Sequence, residues 1–157
     1  MSKNQLTVEQ IQIACRHVDE LMQAGVTQNL AIRSLELYCD LYAKLLHGGK
    51  ATPHHVTQVH PQHWSRAARI LHKKPPSKRV GDYLRVEHGT PRRAFACMVL
   101  AMYRKNRLST ATLNALARKR WKLAVITLKE DVILNRVSRS IPFVSPEQRW
   151  RAAGIRF

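Results

Sequence analysis

The stretch Thr90-Pro91-Arg92-Arg93-Ala94-Phe95-Ala96-Cys97-Met98-Val99-Leu100-Ala101-Met102-Tyr103-Arg104-Lys105 decides the fold. Thr90 supplies a capping hydroxyl, and Pro91 suits the first helical position, where a missing N–H costs nothing. From Ala94 to Tyr103 the stretch carries no charge. An uncharged helical middle predicts a central helix buried on most sides. Downstream, Ser109 caps a second helix that carries Leu113, Leu116 and Ala117 and ends in Arg118, Lys119 and Arg120. Cations in a last turn complement the helix dipole, so part of that cluster has a local reason to exist.

Further on, Leu123-Ala124-Val125-Ile126 is short and partly β-branched, which predicts a strand over 122–127. Thr127 with Glu130 three residues later predicts another helix start, with Val132, Ile133 and Val137 toward the core. Ser145-Pro146-Glu147-Gln148 combines a cap, a proline at the first position and a capping glutamine. A last helix with Trp150 and Ala153 should end at Gly154.

Upstream, Thr7 and Gln10 form a capping box before the stripe Ile11, Cys15, Val18, Met22. Gly25 closes that helix, and Thr27 opens a second one reaching Leu46. The pair predicts an antiparallel hairpin. Residues 50–61 read as a loop, a short helix is expected over 63–73, and Pro75 and Pro76 end it. One more strand is expected within 78–86, from Asp82 onward. The fold class is therefore mainly α, a multi-helix globular domain with an N-terminal helical hairpin and one or two short β-strands. A chain of 157 residues buries roughly two-thirds of its unfolded-state surface, enough to fold without metal or disulfide. Cys15, Cys39 and Cys97 sit in apolar helical patterns and read as buried free thiols.

Charge divides the chain. Residues 1–50 hold five Lys or Arg and five Asp or Glu; residues 51–157 hold 22 and five, and so carry the whole net charge of +17. Segment 1–49 thus reads as a charge-neutral hairpin, a candidate element for a protein partner or for homo-oligomer contact. Segment 50–157 reads as a basic nucleic-acid-binding domain. Like charges repel unless compensated, and a phosphate backbone compensates them while releasing counterions. An anionic membrane face and an acidic protein are the alternatives. No run of ~20 apolar residues exists to span a bilayer, and the N-terminus lacks an apolar leader, which predicts a cytoplasmic protein with no membrane partner.

The candidate phosphate contacts fall into clusters: Arg66, Arg69, Lys73, Lys74, Lys78, Arg79; then Arg85, Arg92, Arg93; then Arg104, Lys105, Arg107; then Arg118, Lys119, Arg120, Lys122. Arginine offers a planar fork to phosphate oxygens, lysine a point charge. Trp64, Tyr83 and Trp121, interleaved with them, are candidates for stacking on unpaired bases, which leans the expectation toward RNA or single strands. The helices around 91–105 and 110–120 also fit a helix-turn-helix, with Thr110, Thr112, Asn114 and Arg118 near base edges. Six histidines (His47, His54, His55, His60, His63, His72) lie within 47–72. Their spacing matches no zinc signature, and they would add positive charge as pH falls toward the usual imidazole range.

Glu87-His88 lies just after an expected strand, and Asn135 follows the next one. Over residues 83–137 this arrangement resembles the histidine-metal finger, or HNH, nucleases. The resemblance implies His88 as general base, Asn135 as the residue holding the catalytic loop, and Glu87 as a ligand for a divalent metal, the one cofactor that reading would need. The chain departs from the family in having no histidine after Asn135 and two helices between the motif's parts. A metal-free ribonuclease would instead use His88 as base and Arg85, Arg92 or Arg93 against the phosphate. A basic scaffold joining a protein partner to nucleic acid is the third reading.

Overall fold

The computed structural model describes residues 6–48, 55–76, 79–138, 143 and 145–157. The chain is mainly helical, with eight α-helices and a two-stranded antiparallel sheet among these residues. It divides into two compact units, one formed by Met1–Thr52 with Thr90–Trp121, the other by Pro53–Gly89 with Lys122–Phe157. The segment 1–49 thus shares its unit with 90–121, while 53–89 and 122–157 form the second.

In the first unit, α1 (Val8–Gln23) begins at the Thr7–Gln10 capping box. It ends in a turn where Gly25 adopts φ +89°, and Gly25 and Val26 N–H groups return to Met22 and Leu21 carbonyls. This left-handed position is one that a side chain would strain. The second helix of the hairpin is divided into α2 (Gln28–Ala31) and α3 (Arg33–Leu46). Ile32 between them has φ −78°, ψ −9°, so the helical ladder loosens there. Helix α5 (Arg92–Arg104) has Pro91 as its cap, one residue later than the expected Thr90, and α6 (Thr110–Arg120) begins at the Ser109–Thr112 capping box. Helix α3 packs on α1, α5 and α6. Their apolar stripes supply Ile11, Cys15, Val18, Leu35, Cys39, Phe95, Val99, Leu100 and Leu113, all at most 1 % exposed. Cys97 is only half-buried, unlike the other two thiols, because it lies at the edge of the α5 stripe. Burial pushes the Cys15 thiol up to about 12 and Cys39 well above its usual value, which keeps both un-ionised.

In the second unit, β1 (Leu84–His88) pairs antiparallel with β2 (Leu123–Thr127), Val86 facing Val125 and His88 facing Leu123. The strand starts two residues after Asp82, because Val80–Asp82 forms a 3₁₀ turn first. Strand alternation sends successive side chains to opposite faces. Leu84, Val86, Leu123 and Val125 join Val56, Val59, Trp64, Ala68 and Tyr83 on one face. Ala124 and Ile126 join Leu134, Trp150, Ala153 and Ile155 on the other. Helix α4 (Arg66–Lys73) covers the first face; α7 (Leu128–Ser138) and α8 (Pro146–Ala152) belong to the second.

Polar groups set the rotation of these helices. Glu130 Oε2 accepts from Thr127 N (2.8 Å) and from the buried Ser65 hydroxyl (2.7 Å), while Ser65 Oγ caps Ala68 N of α4 (3.0 Å). Arg149 Nε donates to Ser138 Oγ at the far end of α7 (2.8 Å). Turning Glu130 and Ser138 inward leaves Leu134 as the buried residue of α7 and faces Val132 and Ile133 to solvent, 51 % and 45 % exposed. This corrects the expectation that Val132, Ile133 and Val137 form a core stripe. The side chains of Val132 and Ile133 point away, and Val137 is half-buried.

Candidate nucleic-acid interface

Arginines at both ends of α5 answer the carboxylates of the hairpin. Arg93 Nε donates to Glu36 (2.7 Å) and its Nη1 to Asn29 (3.0 Å); Arg104 makes two bonds to Asp19 (2.6 and 3.0 Å). Asp40, 3 % exposed, accepts from Lys44 (2.8 Å) and from Trp121 Nε1 (3.2 Å). The hairpin's neutrality is therefore matched within its own unit. Arg93 and Arg104, each 43 % exposed, are already paired, which reduces what they can offer a phosphate. Arg92, Lys105, Arg107, Arg118 and Lys119 are exposed and have no ion pair among the described residues, and Arg120 is half-buried.

The helix-turn-helix set is partly engaged elsewhere. Thr112 Oγ1 donates to Arg107 O (2.7 Å) and accepts from Ser109 N, and Asn114 accepts from Tyr42 OH (2.6 Å). Thr110 and Arg118 stay exposed.

In the second unit, Arg66, Arg69, Lys73 and Lys74 are exposed on and just beyond α4, with Arg79 and Arg85 exposed nearby in sequence. Lys78 lies outside the described residues, as does His54. Lys122 pairs with Glu147. The stacking expectation is corrected. Trp64, Tyr83 and Trp121 are 7 %, 7 % and 5 % exposed, because each ring fills a core. Trp64 Nε1 donates to Val59 O (3.0 Å), and its ring meets His72 edge-on. Three of the other described histidines serve locally. His55 and His60 accept from the N–H groups of Thr57 and Gln62 and so cap two 3₁₀ turns, and His47 packs on Trp121. Among the described residues no three His, Cys, Asp or Glu side chains gather as a metal-ion site.

Glu87, His88 and Asn135 sit on a strand–strand–helix order (β1, β2, α7) interrupted by α5 and α6. Alternation places Glu87 on the face toward α7 and α8 and His88 on the opposite face, beside Val86 and Leu123. Asn135 is exposed and donates to Asp131 (3.3 Å) on its own helix. Glu87 is taken by a residue the sequence reading passed over. Arg149, 5 % exposed, donates to the Glu87 carboxylate and to the His88 and Gly89 carbonyls (3.1 and 3.5 Å). An arginine one turn into a short helix reads as an ordinary surface cation. The available signal was Glu87, a carboxylate in a strand that packs on both faces.

Burial raises the Glu87 carboxyl above its ordinary value of 4.5, and Arg149 only partly offsets this. The folded protein therefore holds the Glu87 proton more tightly than the unfolded chain. The stabilisation is full below about pH 4.5 and is lost as pH rises through the elevated folded value. Glu87→Gln should abolish this component, so its stability curve against pH should lose a downward slope that the wild type has just above pH 4.5. Parallel denaturant titrations of the two proteins would read the difference, and superimposable slopes would refute the assignment.

Neither a protein-family model nor a curated protein nor a solved structure matches the chain.

Proposed function

We propose that this protein binds nucleic acid through its phosphate backbone, with clustered arginine and lysine side chains as the contacts and without catalysis. The observation that carries the reading is the surplus of cation left after internal pairing. The first unit holds 13 Lys and Arg against five Asp and Glu, a net +8; the second holds 14 against five, a net +9. Two stretches, 41–81 and 88–129, contain no acidic residue at all. Each unit thus keeps exposed cations with no carboxylate of its own to meet them, and a polyanion neutralises such a surface with release of counterions. Backbone contacts fix position and carry no base information, so binding should be largely indifferent to sequence. The burial of Trp64, Tyr83 and Trp121 weakens the case for base stacking and moves the reading away from single strands.

The nuclease reading gains little from the geometry, because Glu87 is committed to Arg149 and His88 faces the other side of the sheet. Titration of labelled oligonucleotides of unrelated sequence at low ionic strength tests the proposal. Comparable affinities for all are expected; no binding to any of them overturns it.

A further inference from the structure

Helix α4 presents one large apolar side chain to solvent among cations. Its inner side is docked firmly. Ala68 is fully buried, His72 meets the Trp64 ring at 4.9 Å, Ser65 N bonds Val125 O (2.8 Å), and Arg66 N bonds Arg156 O (2.7 Å). Its outer side presents Ile70, 65 % exposed, the most exposed large apolar side chain among the described residues. Around it, at positions −4, −1, +3 and +4, stand Arg66, Arg69, Lys73 and Lys74, all exposed. Residues three and four apart share a helix face, so Arg66 and Lys73 flank the isoleucine along the helix, with Arg69 one position before it and Lys74 just past the helix end.

We propose that α4 is the element that enters the major groove of duplex DNA, with Ile70 against the groove floor and the surrounding cations on the flanking phosphates. This rests on the nucleic-acid reading above and narrows it to one ligand. The complement is first one of charge: three cations and no acid on the helix, with Lys74 just past its end, call for an anion against it. It is also one of size. An α-helix with its side chains is about 10–12 Å across, and the major groove of B-form DNA is about 12 Å wide. The chemistry of the apolar centre fits as well, since the groove floor offers thymine methyl groups to an aliphatic side chain. The deep, narrow major groove of duplex RNA does not admit a helix. Single strands would be gripped by exposed rings, and in this unit Trp64 and Tyr83 lie in the core. A lipid surface would need a broad apolar face, and α4 shows one exposed aliphatic residue of large size.

The test compares wild type with Ile70→Ala and Arg69→Ala against labelled duplex DNA, duplex RNA, single-stranded DNA and anionic vesicles. Both substituted side chains face solvent, so unchanged melting of the variants is the control for folding. Wild type should prefer duplex DNA. Ile70→Ala should weaken that complex roughly fivefold with no change in its salt slope, because the lost contact is apolar. Arg69→Ala should lower the slope by about one, because it removes a phosphate contact. The affinities of Ile70→Ala for duplex RNA and single strands should match the wild type. Equal affinity for all three nucleic acids with a silent Ile70→Ala overturns the α4 assignment and leaves the broader function standing. Vesicle binding that depends on Ile70, in the absence of any DNA preference, overturns it in favour of a membrane. Failure to bind any nucleic acid removes both.

Discussion

Arg149→Ala should unfold the second unit far more easily than any surface substitution, costing about 3–5 kcal/mol at neutral pH. Arg149 is 5 % exposed, and its guanidinium ties α8 to two other elements: to Ser138 at the end of α7, and to β1 through the Glu87 carboxylate and the carbonyls of His88 and Gly89. Truncation removes the guanidinium that faces the buried Glu87 carboxylate and takes a donor from the His88 and Gly89 carbonyls. A buried carboxylate without a partner relieves itself by taking a proton. The variant should therefore regain more stability on mild acidification than the wild type does, a steeper dependence that simple loss of packing would not give. Arg149→Met combined with Glu87→Leu should recover much of the loss, since an apolar pair of similar volume avoids the desolvation cost. Urea melts of the single and double variants at two pH values measure all of this. A single variant within 1 kcal/mol of wild type would mean that the pair contributes nothing.

Gly89→Ala should be the most damaging small substitution, at about 2–3 kcal/mol, the upper part of the range for overpacking. A β-carbon at residue 89 would overlap Pro146 Cβ and come within 2.8 Å of Trp150 Cζ2. The proline atom cannot rotate away: it belongs to a ring fixed at the start of α8. Relief therefore requires α8 to shift, which disturbs the cluster of Trp150, Ala153, Ile155 and Leu134 and the Arg149 contacts together. Thermal melting should fall by several degrees, and near-ultraviolet circular dichroism should report the movement around Trp150. An unchanged melt with native tryptophan signal would show that the helix tolerates the shift.

Four of the helix starts were legible because a cap is a local transaction, whereas Thr27 makes no side-chain cap bond and α5 is capped at Pro91 rather than Thr90. Thr7 with Gln10, Ser109 with Thr112, Thr127 with Glu130, and Ser145 with Gln148 N all form the bonds that their spacing implied. The central helix was legible from its missing charge, and β2 from its β-branched run. What could not be read was the partnering across long sequence separations. Arg93 and Arg104 look like free basic residues until Glu36 and Asp19 come back from the hairpin to meet them. Trp121, next to Arg120 and Lys122, looks like a base-stacking ring until Asp40 accepts its indole N–H. Arg149 and Glu87 are 62 residues apart, and neither announces the other. The same non-local contacts rotated α7, so that its periodic apolar residues Val132 and Ile133 face water. Conversely, the exposure of Ile70 could not be foreseen. Arg66, Ala68, Ile70 and Leu71 form an ordinary amphipathic pattern, and docking chose Ala68 for the buried side.

The most direct measurement is the affinity of the intact protein for a nucleic-acid duplex as salt is raised from about 50 to 200 mM. If unpaired cations are the contacts, log affinity falls linearly with log salt, and six or more neutralised phosphates would make the loss about a thousandfold. An affinity that stays flat across that range would mean the excess positive charge of this chain faces something other than a phosphate backbone.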